Sequence, residues 1–148
     1  MIDYKAILAK YCSGNDDLQQ ILLTHSRQVA DRALAILQMH PEWVVSGEVD
    51  PVFVEEAAML HDIGVVKTDA PGIGCHGKHP YICHGMLGAE MLRAEGLPMH
   101  ARVAERHTGT GLTRATIVAQ GLPLPEEDFS PETIEEQMHL HQQRADIY

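Results

Sequence analysis

The sequence predicts an all-α protein that forms a single domain. Hydrophobic residues make up 45% of the 148 residues and aromatic residues only 5%. Many of the hydrophobic residues are Ala, Leu and Met, which favour helices over strands, and apolar positions recur at helical spacing. A chain of this length buries roughly two thirds of its unfolded surface. We therefore expect residues 1–148 to share one hydrophobic core.

The net charge limits the partners that the protein can bind. The chain has 21 acidic and 11 basic residues, a formal charge of −10. A charge of this sign repels the phosphate backbone of nucleic acids, so we expect no nucleic-acid partner. A small anionic substrate is still acceptable, because bound metal ions can reverse the field inside a pocket.

The cysteines and the chain start predict a cytoplasmic protein. The three cysteines, Cys12, Cys75 and Cys83, are an odd number, and the first residues do not have the pattern of a secretory signal. No apolar run approaches the ~18 residues of a membrane span. We expect no membrane partner, and the sequence leaves a homo-oligomer open.

Two helices are predicted in the first forty residues. The first covers residues 3–12 and ends at a Ser-Gly pair. Asn15 can cap the second helix, whose apolar stripe continues to Met39, where Pro41 closes it. Residues 41–50 are expected to form a loop.

The middle of the chain predicts a third helix followed by a long loop. Asp50 and Pro51 have the residue types of an N-cap and a first helical position, and Gly64 follows the helix as a stop signal. Residues 65–80 carry three Gly and two Pro, so they are expected to form a loop.

Four more helices are predicted in the second half. One begins near Tyr81 and ends before Gly96, and the next begins at Pro98. A short helix covers residues 113–120. Ser130 then caps a last helix that begins with proline.

Four of the ten histidines occupy related positions. His25, His61, His84 and His107 lie on or beside the inward stripes of four successive predicted helices, and Asp62 follows His61. Each histidine alone fits a core residue bonded to a carbonyl group. Four such residues would each need a buried partner, whereas one shared metal site in a helical bundle would serve all of them. The pattern therefore indicates a metal centre.

These residues resemble the motifs of the HD-domain superfamily of metal-dependent phosphohydrolases, in particular its small HDIG-containing members. The resemblance consists of T-H-S-R-Q-V-A around His25, H-D-I-G at residues 61–64, Y-I-C-H-G at His84 and R-H-T-G at His107. It implies an HD-domain helical bundle, for which we expect about six helices.

The resemblance also implies a set of metal ligands. His25, the His61-Asp62 pair and a final aspartate would bind one divalent ion, and the other two histidines would bind a second ion, with Asp62 between them. Asp146 stands where the final aspartate is expected; either it is that ligand or the site lacks one carboxylate. Imidazole and carboxylate ligands suit Fe, Mn, Co, Ni or Zn.

Other residues are expected to act on the substrate. Asp62 would orient the attacking water, and Lys67 would add positive charge near the leaving oxygen. Lys78, His79 and Arg106 could contact an anionic, phosphorylated substrate, although Arg106 on its own is expected to be exposed to solvent.

Two local alternatives concern the remaining histidines. His100 lies in the first turn of a predicted helix and is expected to be exposed. A structural zinc site is a weaker alternative, because no C-x₂-C pair is present. Its ligands would be Cys75, His76, His79 and Cys83.

The sequence is consistent with three functions. The leading hypothesis is hydrolysis of a small phosphate ester, a nucleotide or another phosphomonoester or phosphodiester. A subset of HD-fold proteins is similar in having four histidines and two aspartates around two iron ions that activate O₂, so a di-iron oxygenase that cleaves a C–C or C–P bond is an alternative. The third is a non-catalytic, metal-stabilised binding domain.

Overall fold

The computed structural model describes residues 1–107 and 112–143, and for residues 139–143 it describes the backbone. These residues form eight α-helices and one small β-hairpin, which confirms the all-α fold class and exceeds the expected number of about six helices. The helices are α1 (Tyr4–Tyr11), α2 (Asp16–Met39), α3 (Pro41–Val45), α4 (Pro51–Leu60), α5 (His84–Ala94), α6 (Pro98–Arg106), α7 (Arg114–Gln120) and α8 (Ile134–Gln143).

Two of the predicted N-caps are confirmed. The Asn15 side chain accepts a hydrogen bond from the backbone N–H of Leu18 at 3.2 Å, and the Asp50 side chain accepts one from Val52 at 3.0 Å. Each bond satisfies one of the backbone donors that a helix start leaves without a partner. The beginnings of α2 and α4 are therefore determined by local sequence.

The helices form a bundle in which α2 packs on α4 and α5 packs on α6, while α8 contacts both α2 and α6. The largest core cluster includes Leu22 of α2, Leu60 of α4 and Leu92 of α5, and each is almost fully buried. Burying one such side chain contributes about 1.5–3 kcal/mol. This packing brings the end of α4 between α2 and α5. Among the described residues, no helix combines the length and the hydrophobicity that a bilayer span needs.

The expected loop over residues 41–50 is partly wrong, because Pro41–Val45 forms the short helix α3. Pro41 is the first residue of α3. Proline has no N–H to donate and its fixed φ suits a first helical position. The same proline therefore ends α2 and begins a new helix.

The last helix begins later than predicted, at Ile134 and not at the proline that follows Ser130. The Glu136 N–H donates to the Thr133 hydroxyl at 3.1 Å, and the Thr133 N–H donates to the Glu136 carboxylate at 3.4 Å. This reciprocal pair is a capping box. It places the helix start after Thr133.

The segment 65–80 is more ordered than a loop. Ile63–Lys67 forms a 3₁₀ turn, and the two-residue strands β1 (Asp69–Ala70) and β2 (Cys75–His76) pair as an antiparallel hairpin. The hairpin bonds extend beyond the strands, since the Asp69 N–H donates to the His79 carbonyl at 2.8 Å. This hairpin follows the H-D-I-G motif after the 3₁₀ turn.

Gly64 has a different role from the helix stop that the sequence predicts. A Cβ atom at this position would overlap the carbonyl oxygen of His84 and the backbone nitrogen of Gly88. Both atoms belong to the first turns of α5, which can shift only with the whole helix. Glycine is therefore required here because the backbone of α5 passes directly over it.

We predict that Gly64→Ala lowers the free energy of unfolding by about 3 kcal/mol, near the upper end for overpacked cores. Gly72→Ala is the matched control, since a Cβ atom there meets nothing within 4 Å, and we expect a change within about 0.5 kcal/mol. Urea denaturation measures both. Equal effects of the two substitutions would contradict the close approach of α5.

Candidate metal centre

Four imidazole rings converge on the carboxylate of Asp62. The Nε2 atoms of His25 and His61 lie 3.0 and 3.2 Å from Asp62 Oδ2. The Nε2 atoms of His84 and His107 lie 3.4 and 3.0 Å from Oδ1. The structure therefore brings these five predicted site residues together and gives each carboxylate oxygen two histidines.

Helix ends position most of this cluster. His61 directly follows α4 and keeps helical backbone angles, whereas Asp62 departs from them with φ −102° and ψ 10°. Neighbouring helical residues point about 100° apart, and this change of backbone direction lets His61 and Asp62 face one site. His84 is the first residue of α5 and His107 directly follows α6. Only His25 comes from a helix interior.

Three of the histidines share a hydrogen bond that fixes their ring orientation. In His61, His84 and His107 the Nδ1 atom lies 2.5–2.6 Å from the carbonyl oxygen of the residue three positions earlier. A carbonyl oxygen only accepts, so Nδ1 carries the proton and Nε2 carries a lone pair. The three carbonyl groups belong to Ala58, Tyr81 and Ala104. The same arrangement is usual for histidines that bind metals.

This orientation leaves too many acceptors facing one another. Nε2 of His84 and Nε2 of His107 are 3.0 Å apart, and both lie beside Asp62 Oδ1. With Nδ1 protonated in both rings, two lone pairs and a carboxylate oxygen share a buried space. Such a contact is unfavourable at low dielectric unless a cation lies among the atoms. The donor set therefore fits a bound metal ion.

The protonation states also suit metal binding. Burial acts to raise the pKa of Asp62, but the electrostatic interaction with His61 and the contacts with His107 and His25 hold that pKa well below its ordinary value. Burial lowers the pKa of His107 to about 4, against the opposing effect of Asp62. At neutral pH the carboxylate is thus ionised and this imidazole is neutral, the forms that bind metals.

The ligand atoms fall into two groups that share Asp62. One group is His25, His61 and Asp62, and the other is Asp62, His84 and His107, and within each group the ligand atoms lie within 4.8 Å of one another. A carboxylate with one oxygen in each group can hold two cations side by side. The residues present could hold metal in either group, and both groups use Asp62.

The family model of the HD domain matches residues 22–144, which include all five residues of this cluster. The chain belongs to the HD-domain family. This membership confirms the resemblance drawn from the motifs. HD domains bind divalent metal ions, in agreement with the donor set described above.

Relatives of this HD-domain protein differ in length. Uncharacterized protein MJ0778 of Methanocaldococcus jannaschii is 36% identical over 137 residues, which cover 92% of this chain and 69% of that protein. Two proteins named tRNA (cytidine(56)-2'-O)-methyltransferase are also similar. The one from Picrophilus torridus is 40% identical over 93 residues, and the one from Thermoplasma volcanium is 32% identical over 121 residues.

The matches cover 62% and 81% of this HD-domain chain but only 24% and 30% of the two methyltransferases. The similarity to these enzymes is thus limited to a minor part of their length. No solved structure matches the chain.

The predicted substrate-contacting residues of the hairpin lie on the surface. The side chains of Lys67, Lys78 and His79 are exposed, and the His79 N–H donates to the Lys67 carbonyl at 3.3 Å, which brings these two residues side by side. Their contact with substrate stays a prediction. Asp146, the predicted final ligand, lies outside the described residues.

The expected exposure of Arg106 is wrong. Its residue is only 8% exposed, and its guanidinium lies 3.5 Å from the Glu132 carboxylate and 3.7 Å from the Glu136 carboxylate. Burial follows from the packing of the start of α8 on α6, which the local sequence does not show. A direct role of Arg106 in substrate binding stays a prediction.

The expected exposure of His100 is also wrong, because this residue is 8% exposed. His100 Nε2 lies 3.0 Å from the Glu56 carboxylate, which also accepts the Ile2 N–H at 2.8 Å. The pair links α4, α6 and the start of the chain. His100 therefore belongs to the scaffold and not to the metal centre.

Sequence reasoning missed Tyr81 as a residue of this site. Its ring stacks on the His84 ring with centroids 4.4 Å apart and an interplanar angle of 30°. Its carbonyl oxygen holds His84 Nδ1 at 2.6 Å. The signal available in the sequence was its position three residues before a predicted ligand, the spacing at which all three backbone acceptors occur.

We predict that the metal-loaded protein holds two divalent ions per chain. His84→Ala is expected to lose one ion and keep the other, whereas Asp62→Ala is expected to lose both because each group uses its carboxylate. His76→Ala, which removes an exposed histidine, is the control and should keep two. Elemental analysis after dialysis measures the ratio. An unchanged number of ions per chain in His84→Ala would show that His84 does not help to bind a second ion.

Proposed function

We propose that this protein is a metal-dependent phosphohydrolase that acts on a small phosphate ester. The observation that carries the proposal is the ionised Asp62 carboxylate, shared by two pairs of imidazoles. Two divalent ions held in this way lower the pKa of a water molecule and stabilise negative charge on phosphoryl oxygens. Membership of the HD-domain family supports the same chemistry.

The residues of the centre explain why the reaction would depend on metal. The centre contains the negative charge of the Asp62 carboxylate, and the chain carries −10 overall. A phosphate group would be repelled from such a site. Bound cations would reverse the local sign and attract it.

The chain's own residues would then position the reacting groups. Asp62 is fully buried and accepts hydrogen bonds only, so it can orient an attacking water molecule and receive its hydrogen bond. Burial also excludes bulk water, which strengthens each electrostatic interaction in the site. The His25 side chain is the most exposed of the five, at 11%.

Side chains near the hairpin would add positive charge at the rim of the metal centre. Lys67 ends the 3₁₀ turn that directly follows Asp62, which makes it the cation nearest the motif in the chain. Lys78 and His79 belong to the returning segment of the same hairpin. A positive charge near the leaving oxygen needs only position, not a rigid bond. Arg106 would act indirectly, because its guanidinium contacts the carboxylates of Glu132 and Glu136.

A small phosphorylated molecule is the proposed partner. The relatives named tRNA methyltransferases raise RNA as the alternative, but the match covers at most 30% of their length. The charge of −10 on this chain opposes binding to a polyanion. We therefore favour a nucleotide or another small phosphoester over RNA.

A di-iron oxygenase is the second candidate, and the four imidazoles around one carboxylate are the observation that favours it, because imidazole suits iron. EPR spectroscopy of the iron-loaded protein, after chemical reduction under aerobic conditions, distinguishes the oxygenase from the hydrolase. A mixed-valent di-iron signal is expected only for the oxygenase. A non-catalytic relative with an incomplete site would instead have a metal content near zero and an unchanged thermal stability after chelation.

We predict metal-dependent release of phosphate from at least one member of a broad phosphoester panel. Asp62→Asn should lower kcat at least about 10³-fold, since the substitution removes the charge on which both groups depend. Lys67→Ala should lower kcat/KM about tenfold, equivalent to ~1.4 kcal/mol of transition-state stabilisation. Lys5→Ala, an exposed lysine of α1, is the control and should leave kcat/KM unchanged.

Absence of release across the whole panel, with the protein loaded in turn with Mn²⁺, Co²⁺ and Fe²⁺, would refute the proposed hydrolase.

A further inference from the structure

A cavity lies beside the metal centre, on the side of His84. It has a volume of about 310 Å³, at the lower end of the range for ligand sites. Its walls come from the hairpin, the turn between its strands and the segment before α5. The lining residues are Asp69, Ala70, Gly72, Ile73 and Tyr81.

Tyr81 belongs to both the cavity and the wall of the metal centre. Its ring stacks on His84 at 4.4 Å, and His84 Nε2 is 3.4 Å from Asp62. The cavity therefore adjoins the metal centre through the stacked rings of Tyr81 and His84. The Tyr81 hydroxyl makes no hydrogen bond to another described residue, so it can donate to a ligand.

The cavity has an apolar wall and a single charge. Tyr81, Ile73 and Ala70 supply ring and aliphatic surface, and Asp69 supplies the one carboxylate among the described lining residues. Asp69 is exposed at the mouth. A carboxylate binds hydroxyl and amino donors and repels phosphate.

A second opening, on α2 beside His25, is less suited to hold a ligand. Its described lining comes from one helix face, including Gln20, Thr24 and Gln28. One face of a helix offers contact from one side only. This opening therefore offers a ligand fewer contacts than the cavity at Tyr81 does.

We propose that the cavity at Tyr81 binds the organic group of the phosphate ester. This group is a neutral or cationic ring that carries hydroxyl or amino groups, and it is not a further phosphate. The inference rests on the proposed phosphohydrolase function, and it selects substrates with one phosphate group. Asp69 accepts hydrogen bonds from the ring substituents, while Tyr81 contacts the ring surface.

The test uses the full-length, metal-loaded protein and three variants. Tyr81→Leu removes the aromatic ring, Asp69→Asn keeps the shape and removes the charge, and Gln28→Ala alters the opening on α2. Calorimetry measures binding of four free ribonucleosides, which carry no phosphate and report on the cavity without catalysis. Metal content and urea denaturation of each variant show that the fold and the centre are intact.

We expect at least one ribonucleoside to bind and Tyr81→Leu to weaken its binding at least tenfold. The KM for the matching nucleoside monophosphate should rise by a similar factor in Tyr81→Leu and stay unchanged in Gln28→Ala. The wild-type protein should prefer the monophosphate over the diphosphate in kcat/KM. Asp69→Asn should reduce that preference about tenfold, because the carboxylate no longer repels the second phosphate.

Several results would overturn the inference. One is the absence of ribonucleoside binding together with an unchanged KM in Tyr81→Leu. Another is an effect of Gln28→Ala in place of Tyr81→Leu, which would put the organic group on α2. Equal kcat/KM for the mononucleotide and for a short oligonucleotide with the same terminal phosphate would rule out a small-molecule cavity.

The two proposals can fail separately. Hydrolysis of phosphoesters without any effect of Tyr81→Leu would support the hydrolase proposal and refute binding of the organic group in the cavity. Ribonucleoside binding that depends on Tyr81, in a protein that hydrolyses no phosphoester, would support the cavity and refute the hydrolase.

Discussion

The structure depends on one local constraint, the hydrogen bond from Nδ1 of a histidine to the carbonyl group three residues earlier. It recurs at His61, His84 and His107 and turns each Nε2 lone pair toward Asp62. Neutral acceptors and a carboxylate then share a buried space that only a cation can stabilise. The helix ends, the close approach of α5 at Gly64 and the burial of the cluster all serve this arrangement.

Without bound cations, this arrangement of the centre is energetically unfavourable. A buried carboxylate among neutral imidazoles has lost its hydration and gains less from partners that do not donate. Metal binding relieves this and links the helices that carry the ligands, so binding also stabilises the fold. Tyr81 lines the cavity and stacks on His84, so the cavity adjoins the metal centre.

Much of the fold and of the metal centre could be predicted from the sequence. The exceptions depend on contacts that local sequence does not show. The caps at Asn15 and Asp50 depend on neighbouring residues, and the helical stripes placed the histidines on one inner surface. Arg106 and His100 were expected at the surface because their partners, Glu136 and Glu56, are 30 and 44 residues away in the chain. Gly64 contacts the backbone of α5, a contact that no local pattern reports.

The most direct test of this account is anomalous X-ray diffraction from crystals grown with Mn²⁺. The account predicts two manganese peaks on opposite sides of the Asp62 carboxylate, one bound by Nε2 of His25 and His61 and the other by Nε2 of His84 and His107. A map without a peak between His84 and His107, in crystals where these atoms remain 3.0 Å apart, would show that a proton and not a metal holds them together. That result would contradict the central claim.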